Sequence, residues 1–190
     1  MNLVSDVANI YTNYIPQFSN IYIVQIFSTD SEIENSESHK NIKNYIQLHA
    51  KDINFGEENI QFVRNNATKK FHFSSDNPYT WADDLDIIWD ESNKWAVKQY
   101  HIDWVSHFYD KESDKFVSGV TGKYRTIIVY VSQYDGKYTK FQFNNVIPTN
   151  ISGLHLAWTN TPNITSNTFK YKVESFSITP DVEYSTSGDI

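Results

Sequence analysis

At 190 residues, without a cysteine and with a formal charge of −7, the chain excludes disulfide staples, thiolate catalysis and Cys-ligated metal sites. The same charge argues against sequence-specific reading of DNA, which needs a basic patch to neutralise phosphates. With 39% hydrophobic and 16% aromatic residues there is ample material for one core, so a single folded domain is expected rather than a disordered chain.

Leu3, Val7, Ile10 and Tyr11 stand at helical spacing ahead of Pro16, so residues 1–19 are expected to form an N-terminal arm or short helix. The first six residues lack a basic start, and no apolar run reaches the roughly 20 residues of a bilayer span, so a soluble intracellular product is expected. Residues 20–27, NIYIVQIF, are almost continuously β-branched or aromatic, the pattern of a strand buried on both faces. Residues 29–43 are polar and acidic without periodicity and read as an exposed acidic loop. Residues 45–50 return to strand character, and residues 52–66 read as irregular. Two further strands, 69–73 and 80–89, flank the turn-rich SSDNP at 74–78.

Residues 90–110 read as the one long helix. Asp90 or Ser92 would cap it, Glu91 would suit its positive end, and Val97, Tyr100, Trp104, Val105 and Phe108 would make its buried stripe. A charged loop, 111–122, leads to a strand at 124–131. The Asp135-Gly136 pair then predicts a hairpin with 138–143. Residues 146–153 contain Pro148 and Gly153 and read as a shaped turn. Beyond it Leu154, Leu156 and Trp158, then Phe169, Tyr171 and Val173, alternate with other residues as half-buried strands do, and 180–190 reads as a flexible tail. The expected fold is mainly β: a β-sandwich or half-barrel of about seven strands with one flanking helix, forming a domain over 20–179.

Few residues suggest chemistry. Asp83, Asp84, Asp86 and Asp90 could hold a hard cation, but they lack EF-hand spacing, and a solvated or subunit-facing strand surface is the simpler reading. His101 and His107 lie six apart, on different faces of a helix, so no zinc pair is expected. Nucleophile-elbow, phosphate-loop and dinucleotide motifs are missing, so no enzyme activity, cofactor or metal is expected. The five tryptophans are expected as core or interface anchors; a sugar-stacking platform on a carbohydrate-binding sandwich is the rival.

Two stretches resemble a known family. The run Ile147-Pro148-Thr149-Asn150-Ile151-Ser152-Gly153-Leu154-His155-Leu156-Ala157-Trp158, followed by Thr168-Phe169-Lys170-Tyr171-Lys172-Val173, resembles the C-terminal signature of the tail tube proteins of T4-like, contractile-tailed bacteriophages. Thr80-Trp81-Ala82-Asp83-Asp84-Leu85-Asp86-Ile87-Ile88-Trp89 is similar to that family's acidic strand ahead of its helix. Three departures stand out: Ser152-Gly153 replaces Gly-Glu, Leu85 stands where Trp is frequent, and the terminal Asp-Tyr-Trp is missing.

The resemblance implies a tail-tube, or Hcp-like, fold and a non-enzymatic virion protein assembled in the host cytoplasm. Copies would join into hexameric rings that stack as a hollow tube for genome ejection, with sheath and baseplate proteins as partners and DNA only passing through. A baseplate initiator, a tail terminator or the tube of an injection or secretion system are the alternatives. On this reading Pro148, Thr149, Asn150, Gly153, Leu154, Leu156 and Trp158 shape a structural corner. Trp81, Asp83, Asp84, Asp86 and Trp89 mark the strand before the helix. Tyr124, Thr126, Ile128, Tyr130, Tyr138, Phe141 and Phe143 lie on the strands expected between subunits.

Overall fold

The computed structural model describes residues 22–28, 30–35, 39, 40, 43, 50–56, 59, 60, 62–64, 71–73, 79, 80, 83–92, 94–117, 123–133, 136–151 and 165–185. Its centre is one antiparallel sheet of seven strands that folds over on itself. Strand β1 (Tyr22–Ser28) pairs with β10 (Arg125–Ser132), and β10 pairs with β11 (Tyr138–Ile151). Between β10 and β11, Gly136 has φ 83, a left-handed conformation that favours glycine and fits the predicted hairpin.

The 14-residue β11 is long enough to serve both halves of the sandwich. Its first half pairs with β10 on one side and with β13 (Ser175–Val182) on the other. From Ile147 onward it pairs with β12 (Ser166–Lys172). The change of partner falls at a β-bulge, where the register moves from Arg125↔Val146 to Ile127↔Phe143 and Asn145 takes φ 51. A bulge bends its strand, and this one turns the sheet over. The second half continues from β12 to β7 (Asp84–Asp90) and then to β2 (Ala50–Phe55).

Alternation places Val24, Ile26, Ile127, Val129 and Phe143 on the inner face of the first half, opposite Leu85, Ile87, Trp89, Phe169 and Tyr171 from the second. Fully burying one such side chain is worth about 1.5–3 kcal/mol, so this shared face carries most of the fold's stability. Helix α2 (Ala96–Ser106) packs Val97, Tyr100 and Trp104 into the same core, joined by Phe108 beyond its end. β1 is buried on both faces, as its sequence predicts: Phe27 joins Ile128 and Tyr130 in a second cluster outside the sheet. Short pairs complete the described strands: β3 (Asn59–Ile60) with β6 (Tyr79–Thr80), β4 (Phe62–Arg64) with β5 (Phe71–Phe73), and β8 (Tyr109–Asp110) with β9 (Lys115–Phe116).

Several expectations are corrected. Residues 29–43 are not simply an exposed loop, because Ser31–Asn35 is a helical turn, α1, and His39 is buried. Glu34 organises this segment by accepting from Ser28 N at 2.8 Å, with His39 Nε2 at 3.0 Å and Lys43 Nζ at 2.5 Å. Residues 52–55 belong to a strand. The long helix begins at Ala96, since Asp90 still pairs with Ser166 in β7.

Residues 146–151 are strand rather than turn. Pro148 pairs with Tyr171 beside a second bulge, on a stretch of β11 with a partner strand on one side only among the described residues, where a missing N–H is tolerated. Residues 180–182 end β13, and Tyr184 docks on the outer cluster, its hydroxyl 2.9 Å from Gln25 Nε2, so this part of the expected flexible tail is anchored. The expected arm at 1–19, most of the strand at 45–50 and the strand at 154–158 lie outside the described residues.

Candidate assembly surfaces

The strands expected between subunits are interior strands. β10 is flanked by β1 and β11, and the first half of β11 by β10 and β13, so their backbone groups are satisfied within the chain. Thr126, Ile128, Tyr130 and Phe143 are buried, Tyr138 and Phe141 are half-buried, and Tyr124 is exposed. The open edges of the sheet lie elsewhere: β1, β2 and β13 each have an outer edge without a partner strand among the described residues. β13 is the most open of the three, mostly exposed and with Ile178 presenting an apolar side chain.

The acidic run is matched by lysines across the sheet. Register pairs Asp86 with Lys170 and Asp84 with Lys172, and the ion pairs follow: Lys170 Nζ to Asp86 at 3.2 Å, and Lys172 Nζ to Asp83 at 2.7 Å and Asp84 at 2.9 Å. The hydrogen bond from Lys172 holds the Asp83 carboxyl below its ordinary value. These carboxylates are half-exposed and paired, and among the described residues no group of three His, Asp or Glu side chains could hold a metal ion. Trp89 is fully buried, and Trp81 lies outside the described residues.

Of the expected corner, Pro148 is buried while Thr149 and Asn150 are exposed. The side chain reaching backbone here is Thr149, whose hydroxyl donates to Lys170 O at 3.2 Å. Gly153, Leu154, Leu156 and Trp158 lie outside the described residues. Trp89 and Trp104 are core residues, which removes two of the five tryptophans from any sugar-stacking face.

Two buried polar groups escaped the sequence reading. His101 continues the helical stripe one turn after Val97, and its ring stacks on Phe169 with centroids 3.9 Å apart. Its Nδ1 lies 2.7 Å from Val97 O and its Nε2 lies 2.5 Å from Tyr171 Oη. The arrangement suits a neutral ring that donates through Nδ1–H and accepts the tyrosine proton. Burial holds the imidazole down to about 3, and burial likewise raises the Tyr171 hydroxyl.

Arg125 begins an apolar strand yet is fully buried, its guanidinium 4.7 Å from the Tyr100 ring centroid and 4.5 Å from that of Trp104. Its Nε and Nη1 have no hydrogen-bond partner among the described residues. Burial pushes the Tyr100 hydroxyl up to about 12, against the pull of the arginine charge. Helical periodicity could have flagged His101. Arg125 had no signal beyond its place between apolar neighbours.

No protein-family model and no curated protein matches the sequence. Solved structures do match. A chain of the extended PVC extracellular contractile injection system, from the structure of its sheath/tube terminator, superposes with a TM-score of 0.55 at 8% identity, covering 87% of this chain and 98% of that one. A chain from the anti-feeding prophage cap, the AFP tube-terminating cap, gives 0.51 at 10% identity, over 87% and 92%. The fold is tail-tube-like. At these identities the likeness is one of architecture, and the tail-tube-like fold is the framework on which the edges above are displayed. Among the described residues no helix is long and apolar enough to cross a membrane.

Proposed function

We propose that this chain is a structural subunit of a contractile tail or injection apparatus, whose copies join side by side into rings around a channel. One observation carries the reading. A tail-tube-like sheet, similar over 87% of the chain to a chain of a terminator structure, leaves outer edges at β1, β2 and β13 without partner strands among the described residues. An unpaired edge is a template for another chain, and repeated head-to-tail contacts between identical copies either close into a ring or run on as a filament.

The role is mechanical. Rings of six that stack into a tube for genome passage are what the resemblance to T4-like tail tubes implies, with sheath and baseplate proteins as neighbours. The net charge of −7 suits a wall that repels phosphates. A terminator that caps such a tube is the second reading, favoured because both solved structures described above are of terminating assemblies.

Negative-stain microscopy of the purified protein tests both. Long hollow tubes support the tube subunit, isolated rings support the terminator, and a dispersed monomer at high concentration removes the assembly reading altogether.

A further inference from the structure

Two surface features lie at opposite ends of β10. At the Val131 end, between the inner face of the first half-sheet and the edge strand β2, the sandwich gapes into an open groove of about 440 Å³. Val129, Val131, Phe141 and Phe143 line it from the first half-sheet and Ile53 and Phe55 from β2, with Tyr22 and the exposed Asp52 as its polar residues. The groove is closed at one side, where the Phe55 ring meets Phe143 and Phe176 at centroid distances of 5.0 and 4.9 Å. Its volume is many times the roughly 30 Å³ share of one water molecule, so it accepts a large side chain. Asp52 is exposed and makes no ion pair among the described residues.

At the Arg125 end stands the β8–β9 hairpin. It leaves α2 just past Trp104, whose indole donates to Lys123 O at 3.0 Å and underlies the Arg125 guanidinium. Val117 N donates to Phe108 O at 2.9 Å, the Tyr109 hydroxyl donates to Asp114, and the Tyr109 and Phe116 rings meet edge-on at 5.5 Å. The hairpin is braced, and its turn, residues 111–114, is polar, yet the outer side of β9 is apolar and in water: Phe116 is 76% exposed and Val117 44%. Its carboxylate Asp110 is engaged by Ser113 and Glu112 N, and Asp114 by Tyr109. Lys115, beside Phe116, makes no ion pair among the described residues.

We infer that the Lys115–Phe116 hairpin of one copy seats in the Ile53–Phe141 groove of a second copy, with Phe116 in the apolar trough and Lys115 meeting Asp52 at its rim. The inference deepens the assembly reading above by naming the two faces that meet. Size, apolarity and charge are complementary, and a braced aromatic in a concave apolar site is the usual energetic centre of an interface. Phe116 stands 76% exposed and is not among the residues lining the groove. A copy does not fill its own groove with its own hairpin. The contact is head-to-tail and repeats from copy to copy.

The native chain has no cysteine, which makes cross-linking clean. Phe116→Cys and Ile53→Cys variants, mixed and mildly oxidised, are expected to give a disulfide-linked dimer that neither variant gives alone. Phe116→Asp is expected to weaken self-association at least tenfold by analytical ultracentrifugation without changing thermal unfolding. Lys115→Glu and Asp52→Lys should each weaken it, and their mixture should recover it. If the wild type assembles, but Phe116→Asp assembles equally well and no mixed disulfide forms, this interface is overturned while the assembly reading stands. A wild type that remains monomeric, together with no mixed disulfide between the two cysteine variants, overturns both.

Discussion

His101 is held neutral at the centre of the core, stacked on Phe169 and hydrogen-bonded on both ring nitrogens, and that makes acid the weak side of this fold. Its folded value is depressed from 6.5 to about 3, so the unfolded chain binds the extra proton first. Stability is full above about pH 6.5 and falls as the pH drops toward 3, by at most about 1.4 kcal/mol per pH unit for one group. Burial would raise Glu34, but hydrogen bonds from His39, Lys43 and Ser28 N take it from 4.5 to about 2, so its contribution is present above 4.5 and lost below. Urea midpoints measured from pH 7 to 3 should decline from 6.5 downward. His101→Gln should remove most of the slope between 6.5 and 5 and leave the steepening below 4.5, which Glu34→Gln should remove. Arg125 gives the opposite expectation. A buried cation whose Nε and Nη1 lack partners among the described residues costs more than its stacking on Tyr100 and Trp104 returns, so Arg125→Met should be neutral or stabilising by about 1–4 kcal/mol in urea unfolding. A large destabilisation would mean that a counter-charge serves this guanidinium.

Helix α2 shows how an element is started by a residue outside it. The buried Glu91 carboxylate accepts from Val97 N at 2.8 Å, Lys98 N at 3.1 Å and Asn167 Nδ2 at 3.1 Å, fastening the first turn to β12, while Ser92 Oγ takes Ala96 N at 3.0 Å. Glu91→Ala leaves buried donors unpaired and should cost about 2–3 kcal/mol with loss of helical circular dichroism; Ser92→Ala, which removes only the acceptor for Ala96 N ahead of the Trp95 N-cap, should cost about 1 kcal/mol. The sequence carried the helix stripe, β1, the 138–143 hairpin strand and the Phe169–Tyr171–Val173 alternation, because each is a local period with one buried face. It hid what depends on distant partners. Residues 146–151 look like a turn until β12 pairs with them across a bulge, and β13 lacks any buried alternation of its own. Residues 29–43 look solvated until Glu34 gathers Ser28, His39 and Lys43. The acidic strand was legible as a solvated or subunit-facing surface, but not as a paired one, because the lysines that pair it lie more than eighty residues on.

At the scale of the whole molecule, the interior placement of β10 and β11 means that the proposed side-by-side assembly would use edges the sequence did not single out. β13 is the sharpest case: Ser175–Val182 hydrogen-bonds to β11 on one side, has no strand on the other among the described residues, and exposes Ile178 to 54%. Proteins that must stay monomeric blunt such an edge with charge or proline. Here Pro180 and Asp181 lie near its far end, leaving the stretch around Ile178 without either. Ile178→Lys places a charge on the open stretch without touching the core, so the monomer's unfolding should move by less than about 0.5 kcal/mol. Ring or tube formation in microscopy should nevertheless be lost, because an edge lysine disfavours a second strand alongside. The hairpin variant Phe116→Asp should act on a different contact, so the two defects should be separable: if Ile178→Lys assembles normally while Phe116→Asp does not, the hairpin–groove joint alone holds copies together, and β13 is merely an edge exposed to water.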